Sequence, residues 1–341
     1  VISPPIYTSF GQAYIAILRH VSKNYQYVNA PRGNASHECI GVSFQLADPR
    51  QRTLFVAARP INPVYHFAEA LWYLAGRRDL DMIAHYAPHL RKDYPNGSTI
   101  DGMAYGAQIF GPRVGSDRSS FAQVLDLLRS EKNSKRAFLP VFRDTDLDDP
   151  ASPDVPCLIG LHLLAREGRL HMVAYMRAND ANKGLIADVF SFTLIQEFTA
   201  TLLGLELGGY THHVGSMHIG DKDLPLVQRV LAETDVAVTQ PQFTTSTMPT
   251  DTTWAHLRTV LEHEELLRTN QLQTTAKEVA GLGLPPYWQK VVLLFEAHRQ
   301  IVRCAADPID PALLEALDPW ARWQMERRWP SRVPQAGSVA R

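Results

Sequence analysis

Near the middle of the chain, "SPDVPCLIGLHLL" sets one cysteine, Cys157, between a proline and an apolar run. A thiol there has two uses. It packs as a small hydrophobe, or it stands as a nucleophile where a loop passes into a strand, activated by nearby cations. Glu69 lies among the apolar residues of "HFAEALWYLAG". A carboxyl in that setting is either paired within the core or raised in pKa and suited to moving protons near neutrality. Tyr105 stands between small residues in "GMAYGAQ", and by itself reads as a core aromatic. Arg32 in "APRGNAS", Lys135 and Arg136 in "SKRAFLPVF", and Arg177 in "YMRAND" supply cations. An exposed basic pair such as that of "SKR" by itself reads as solvated surface. His212, His213 and His218 in "YTHHVGSMH" raise a metal hydrolase as a rival. No carboxylate–histidine spacing typical of such sites accompanies them, so no metal is expected.

These groups are far apart in sequence, and a fold must gather them. "NPVYHFAEALWYLAG" carries Phe67, Leu71 and Leu74 at helical spacing, with Pro63 near its start and Gly76 at its end. "RAFLPVFRD" and "RLHMVAYMR" alternate as half-buried strands do, and the short "AREGR" predicts a hairpin between "CLIGLHLL" and the second of them. "DVFSFTLIQEFTATLLG" reads as a long helix ending at Gly204, apolar round most of its surface and therefore central. The polar "RDTDLDDPASPDVP" loop delivers the chain to Cys157, and from about residue 250 the pattern is helical and charged. The expected class is α+β: a mixed β-sheet, a central buried helix and a helical C-terminal region. Residues 1–250 are expected to form the catalytic domain and 251–330 a helical extension packed on it. A mobile tail is expected over 331–341.

With 341 residues, 45% hydrophobic and 20% charged, the chain has ample material for a core. Its formal net charge of −1 gives no electrostatic reason to expect binding to nucleic acid or an acidic membrane. Any anionic ligand needs a local cluster. Three scattered cysteines suggest neither a metal pattern nor a disulfide framework, and a reducing cytoplasm is the expected setting. "VISPPIYTSFGQAY" has no basic n-region or long apolar h-region, so no signal peptide is expected from it.

Taken in order, "HFAEALWYLAG", "GMAYGAQ", "SKRAFLPVF", "PCLIGLHLL", "YMRANDANKGLIADVFSF" and "HHVGSMHIG" resemble the thymidylate synthase superfamily over roughly residues 25 to 235. These folate-dependent enzymes modify carbon 5 of pyrimidine nucleotides. The resemblance implies a thymidylate synthase-like fold, Cys157 as the nucleophile toward carbon 6, Glu69 as the acid/base and Tyr105 in removal of the carbon 5 proton. It implies a phosphate grip from Arg32 and Arg177, completed by Lys135 and Arg136 of a neighbouring subunit, hence a homodimer. His218 corresponds to a sugar-binding histidine. Asp180 matches the folate-contacting aspartate, with 5,10-methylenetetrahydrofolate as co-substrate.

The departures from the family's pattern are informative. Asp188 stands where uridylate-specific synthases have asparagine. A carboxyl can accept from the exocyclic amine of cytosine and share a proton with its ring nitrogen, so the expected base is cytosine. A helix cap is the other use of an aspartate there. Ala178 replaces serine, Lys135 replaces arginine and Gly220 replaces a sugar-binding tyrosine, leaving room for a ribose 2′-hydroxyl. Leu158 replaces a polar residue after the nucleophile, and "HLRKDYPNG" lacks the tryptophans that shield the folate site. The expectation is therefore hydroxymethylation of cytidylate (CMP, and dCMP also), as in the cytidylate 5-hydroxymethylases of antibiotic biosynthesis. The alternatives are a cytidylate methylase, a thymidylate synthase on dUMP, and a silent nucleotide-binding paralogue.

Overall fold

The structure is a computed structural model describing residues 2–94, 97–113, 115–149, 152, 154–236, 243–304 and 307–333. Its strands are β1 (Ile6–Tyr7), β2 (Tyr27–Asn29), β3 (Ser36–Leu46), β4 (Phe138–Pro140), β5 (Leu158–Arg166), β6 (Arg169–Asp180) and β7 (Glu206–Gly220). They form one mixed sheet in the order β1-β3-β7-β6-β5-β4, with β2 also on β3. The β1–β3 and β6–β7 pairs are parallel, and the others are antiparallel.

Two connections place the site. β5 turns into β6 through Glu167 and Gly168, both at positive φ (50° and 76°), which matches the twist of an antiparallel hairpin. β6 then returns to its parallel neighbour β7 through the helix Gly184–Leu203, closed at its C-terminus by Gly204 in the left-handed conformation. That helix is long and apolar enough to cross a membrane by length and composition, but 83% of the qualifying stretch is buried inside the protein. It is the central helix the sequence predicts.

The helix Pro63–Leu74 packs against it, with Phe67 edge-on to Phe190 at 5.1 Å. The Asn62 side chain accepts from the Val64 and Tyr65 N–H groups, and Pro63 occupies the first turn, where its missing N–H costs nothing. The C-terminal helices join the same hydrophobic core: Trp254 is edge-on to Phe198 at 4.8 Å, and Gln324 bonds the backbone at Leu54 and Ile61.

Two expectations change. "RAFLPVFRD" contributes only Phe138–Pro140 to an edge strand, because Pro140 cannot donate to a ladder. "PALLEALDPWARWQMERR" is broken into Pro311–Ala316 and Pro319–Arg328, since Pro319 cannot continue the first helix and instead starts the second. The expected mobile tail lies, from residue 334 onward, outside the described residues, as do Pro150, Ala151 and Pro153 of the loop before Cys157.

Candidate active site

Cys157 is the last residue before β5, half-buried at the loop-to-strand junction. Arg177 on the neighbouring β6 fixes that junction. Its Nε donates to the Pro156 carbonyl (2.7 Å) and its Nη2 to that of Val155 (3.0 Å). Its backbone N–H donates to the Cys157 carbonyl (2.8 Å). Burial pushes the thiol pKa up, Arg177 and Arg32 pull it down, and Asp188 adds to the rise. The sequence led us to expect cations to favour the thiolate. Here desolvation outweighs them and the resting sulfur is held toward the thiol.

Tyr105 opens the helix Tyr105–Phe110 and is buried, its ring stacked on Tyr73 at 5.5 Å. The Cys157 backbone N–H reaches the Tyr105 hydroxyl. The stacking of Tyr105 on Tyr73 depends on Gly106: a Cβ at that position would lie 2.2 Å from the Tyr73 backbone. Burial raises the Tyr105 pKa well above its ordinary value, with Asp188, Cys157 and Glu69 contributing.

Two carboxyl groups face this centre. Glu69 accepts from Tyr65 Oη at Oε1 (2.5 Å) and from Ser191 Oγ at Oε2 (3.0 Å). Burial raises its pKa from 4.5 to about 7, against the pull of those two hydroxyls. Asp188 lies a turn inside the central helix, so it is not a cap, and it is 7% exposed. Burial and then the Glu69 charge raise it from 3.8 to about 8, while the Asn179 hydrogen bond opposes them. Both groups are therefore poised to hold or release a proton near neutrality.

A further set of side chains supports Asp188. Asn179 Nδ2 donates to Asp188 Oδ2 (2.7 Å), while Asn179 Oδ1 meets His212 Nε2 (3.0 Å) and Tyr210 Oη meets His212 Nδ1 (2.6 Å). Sequence reasoning missed Asn179 and Tyr210, and read His212 only as a metal ligand. The available signal was alternation on β7, which puts the polar Tyr210 and His212 on the same face as the apolar Val214. His213 points to the opposite face and bonds Ser43 Oγ at 2.5 Å. Among the described residues no group of three or more His, Cys, Asp and Glu side chains could hold a metal ion.

The other expected residues fall into two groups. Arg32, Asp180, His218 and Gly220 line one cavity of about 190 Å³. Asp180 and His218 are register partners on β6 and β7, and Ala178 lies on β6 opposite Ser216. Asp180 Oδ1 accepts from the Asn182 and Lys183 N–H groups (2.8 and 2.9 Å), shaping the turn into the central helix. Lys135 and Arg136 do not join this cavity. Both are exposed before β4, with Arg136 paired to Glu131 at 2.7 Å. Beside Asn182 is a polar cluster that the sequence did not reveal. Arg59 Nη2 donates to the Asn182 carbonyl at 3.2 Å, and burial, followed by the charges of Arg59 and Arg328, lowers the His66 pKa to about 3. Among the described residues, Arg59 Nε, His66 Nδ1 and Asn182 Nδ2 are buried without a partner, as expected of groups that meet a polar ligand.

The sequence is 32% identical over 248 residues to the deoxyuridylate hydroxymethyltransferase of Bacillus phage SP01, covering 66% of this chain and 63% of that protein. It is 31% identical over 173 residues to the deoxyuridylate hydroxymethyltransferase of Pseudomonas phage M6, covering 50% and 48%. It is 30% identical over 164 residues to the thymidylate synthase of Symbiobacterium thermophilum, covering 45% and 57%. The chain thus spans less than two thirds of the length of each of these relatives. The family profile of thymidylate synthase matches residues 12–260, which contain every group gathered around Cys157. With this match and the mixed sheet around the buried central helix, the chain belongs to the thymidylate synthase family.

Proposed function

We propose that the protein is a one-carbon transferase that hydroxymethylates carbon 5 of cytidylate, CMP and also dCMP, with 5,10-methylenetetrahydrofolate as co-substrate. The observation that carries the choice of base is Asp188. It is a buried carboxyl that retains a proton near neutrality, and it takes the place the family's uridylate enzymes give to asparagine. The phage relatives are named for hydroxymethyl transfer to deoxyuridylate, which supports the type of transfer and makes uridylate the rival base.

In this reading Cys157 gives up its proton and its sulfur adds to carbon 6, so that carbon 5 becomes nucleophilic. Arg177 and Arg32 favour the thiolate against the burial that opposes it. Carbon 5 would then bond to the methylene carried by the folate, and Tyr105 and Glu69 would take part in removing the carbon 5 proton as the carbon–nitrogen bond to the folate breaks. Glu69, poised near pH 7, positions the water whose oxygen becomes the new hydroxyl. Expulsion of the Cys157 sulfur restores the aromatic ring. The bound folate supplies a carbon at the oxidation level of formaldehyde and leaves as tetrahydrofolate, so the sum CMP, water and methylene donor balances without a redox step. Arg59, Asn182 and His66, with their unpartnered polar atoms, and Asp180 are the residues suited to hold it. Arg32 and Arg177 hold the phosphate and His218 the sugar, and Lys135 and Arg136 come from the second subunit of a homodimer. A reducing cytoplasm suits the three free cysteines.

The test is an assay with CMP, dCMP and dUMP, each supplied with methylenetetrahydrofolate. The expected product is 5-hydroxymethylcytidylate, without the absorbance change of dihydrofolate. Dihydrofolate formed in step with product would establish a methylase, and turnover of dUMP alone would establish a uridylate enzyme.

A further inference from the structure

We propose that Asn179, held by the His212–Tyr210 pair, is a positioning residue that fixes which oxygen of Asp188 carries the carboxyl proton, and thereby makes the site selective for cytosine over uracil. The inference rests on the cytidylate reading above and concerns how that selectivity is built.

The donor–acceptor accounting starts from the far end of the chain. His212 is fully buried and neutral, its pKa lowered to about 3 by burial and then by His213, so it has one N–H. Asn179 Oδ1 can only accept, which assigns that N–H to Nε2 and leaves Nδ1 to accept from the Tyr210 hydroxyl. The Asn179 amide is thereby oriented with its NH₂ toward Asp188, and it donates to Oδ2. Asn179 is 4% exposed and Tyr210 is 0% exposed, so water does not compete for these positions. Asp188 Oδ2 is then an engaged acceptor, and Oδ1 is the place for the proton.

A carboxyl so polarised is directional. Oδ1–H donates to the cytosine ring nitrogen, and the second lone pair of Oδ2 accepts from the exocyclic amine. Covalent attachment at Cys157 fixes the ring's orientation. Uracil in that orientation sets its N–H against Oδ1–H and its carbonyl against Oδ2, two mismatches in a buried site. An unanchored carboxyl escapes them by moving its proton to the other oxygen. Asn179 opposes that move because its N–H already occupies Oδ2.

The experiment measures kcat/KM for CMP and UMP, which share a sugar, in the wild type and in N179A, H212F and H212Q. Phenylalanine keeps the ring volume beside Phe44 (5.3 Å) but cannot donate, whereas glutamine keeps an N–H for Asn179. The CMP:UMP ratio should fall by about tenfold or more in N179A and H212F, and stay within about threefold of wild type in H212Q. Melting and nucleotide-binding measurements identify a variant that has merely lost its fold; in that event the H212F and H212Q comparison decides. A structural role would lower both substrates together. An unchanged ratio in folded N179A and H212F, or equal loss in H212Q and H212F, overturns the proposal while leaving the cytidylate reading intact. A wild type that prefers UMP overturns that reading itself, and this inference with it.

Discussion

Asp188 and Glu69 are acids in a place where most carboxyl groups would be paired with a cation. Asp188 instead has Asn179 for a partner, and Glu69 has two hydroxyls. Burial keeps both protonated to unusually high pH, and this has a measurable consequence for stability. The unfolded chain ionises Asp188 from about its model-peptide value of 3.8, whereas the folded protein resists until about 8. Folded wild type therefore loses the Asp188 contribution to stability as pH rises through that window, whereas Asp188→Asn, with nothing to ionise at that position, keeps only the loss due to Glu69. The melting temperature of Asp188→Asn relative to wild type should rise from pH 4 to pH 8 and then level off; a difference independent of pH would contradict the assignment. The same substitution should move substrate preference from CMP toward uridylate. Cys157→Ser should lower turnover by about a thousandfold or more while nucleotide binding persists, as for removal of a covalent nucleophile. Lys135→Arg with Ala178→Ser should shift relative kcat/KM toward dCMP by roughly tenfold, the worth of about one hydrogen bond. At this scale the sequence was legible wherever residue type and order were enough: Cys157, Glu69, Tyr105 and Asp188 all reach one centre. The Tyr210–His212–Asn179 support was not legible, because it depends on the register that sets β7 beside β6.

Elements bring these residues within reach by close backbone approach. The helix Tyr105–Phe110 presses on Pro63–Leu74 through Gly106, so that Tyr105 lies on Tyr73 and beneath Cys157. Gly106→Ala would force the two backbones apart. It should cost roughly 1–3 kcal/mol in denaturant unfolding, and lower kcat more than it weakens nucleotide binding. Equal loss of both would mean that Tyr105 has no special placement. Periodicity announced β6, while a long apolar run closed by Gly204 announced the central helix. It failed where a proline overrode the pattern, at Pro140 and Pro319. The packing of Pro63–Leu74 on the central helix was also invisible, since nearly every residue of both is buried and no stripe singles out a partner.

For the whole molecule, the sheet has a helix-covered face and an outer face. Ile40 (58% exposed) and Ile159 (40% exposed) are left uncovered on β3 and β5, and Lys135 and Arg136 stand clear of the cavity beside Arg32. Both features suit the proposed homodimer, in which each subunit completes the other's phosphate site. Mixing inactive Cys157→Ser with inactive Arg136→Ala after subunit exchange should restore about a quarter of wild-type activity, because half of the random dimers then contain one complete site. No recovery would place Arg136 in its own subunit's site or outside the chemistry.

The account rests on one sulfur atom and one carboxyl group meeting the same ring, and a crystal structure with CMP bound tests that most directly. It should show Cys157 Sγ at carbon 6 and Asp188 against the ring nitrogen and exocyclic amine, with Asn179 still on Oδ2. A ring bound with Sγ turned away, or with Asp188 engaged elsewhere, would contradict it.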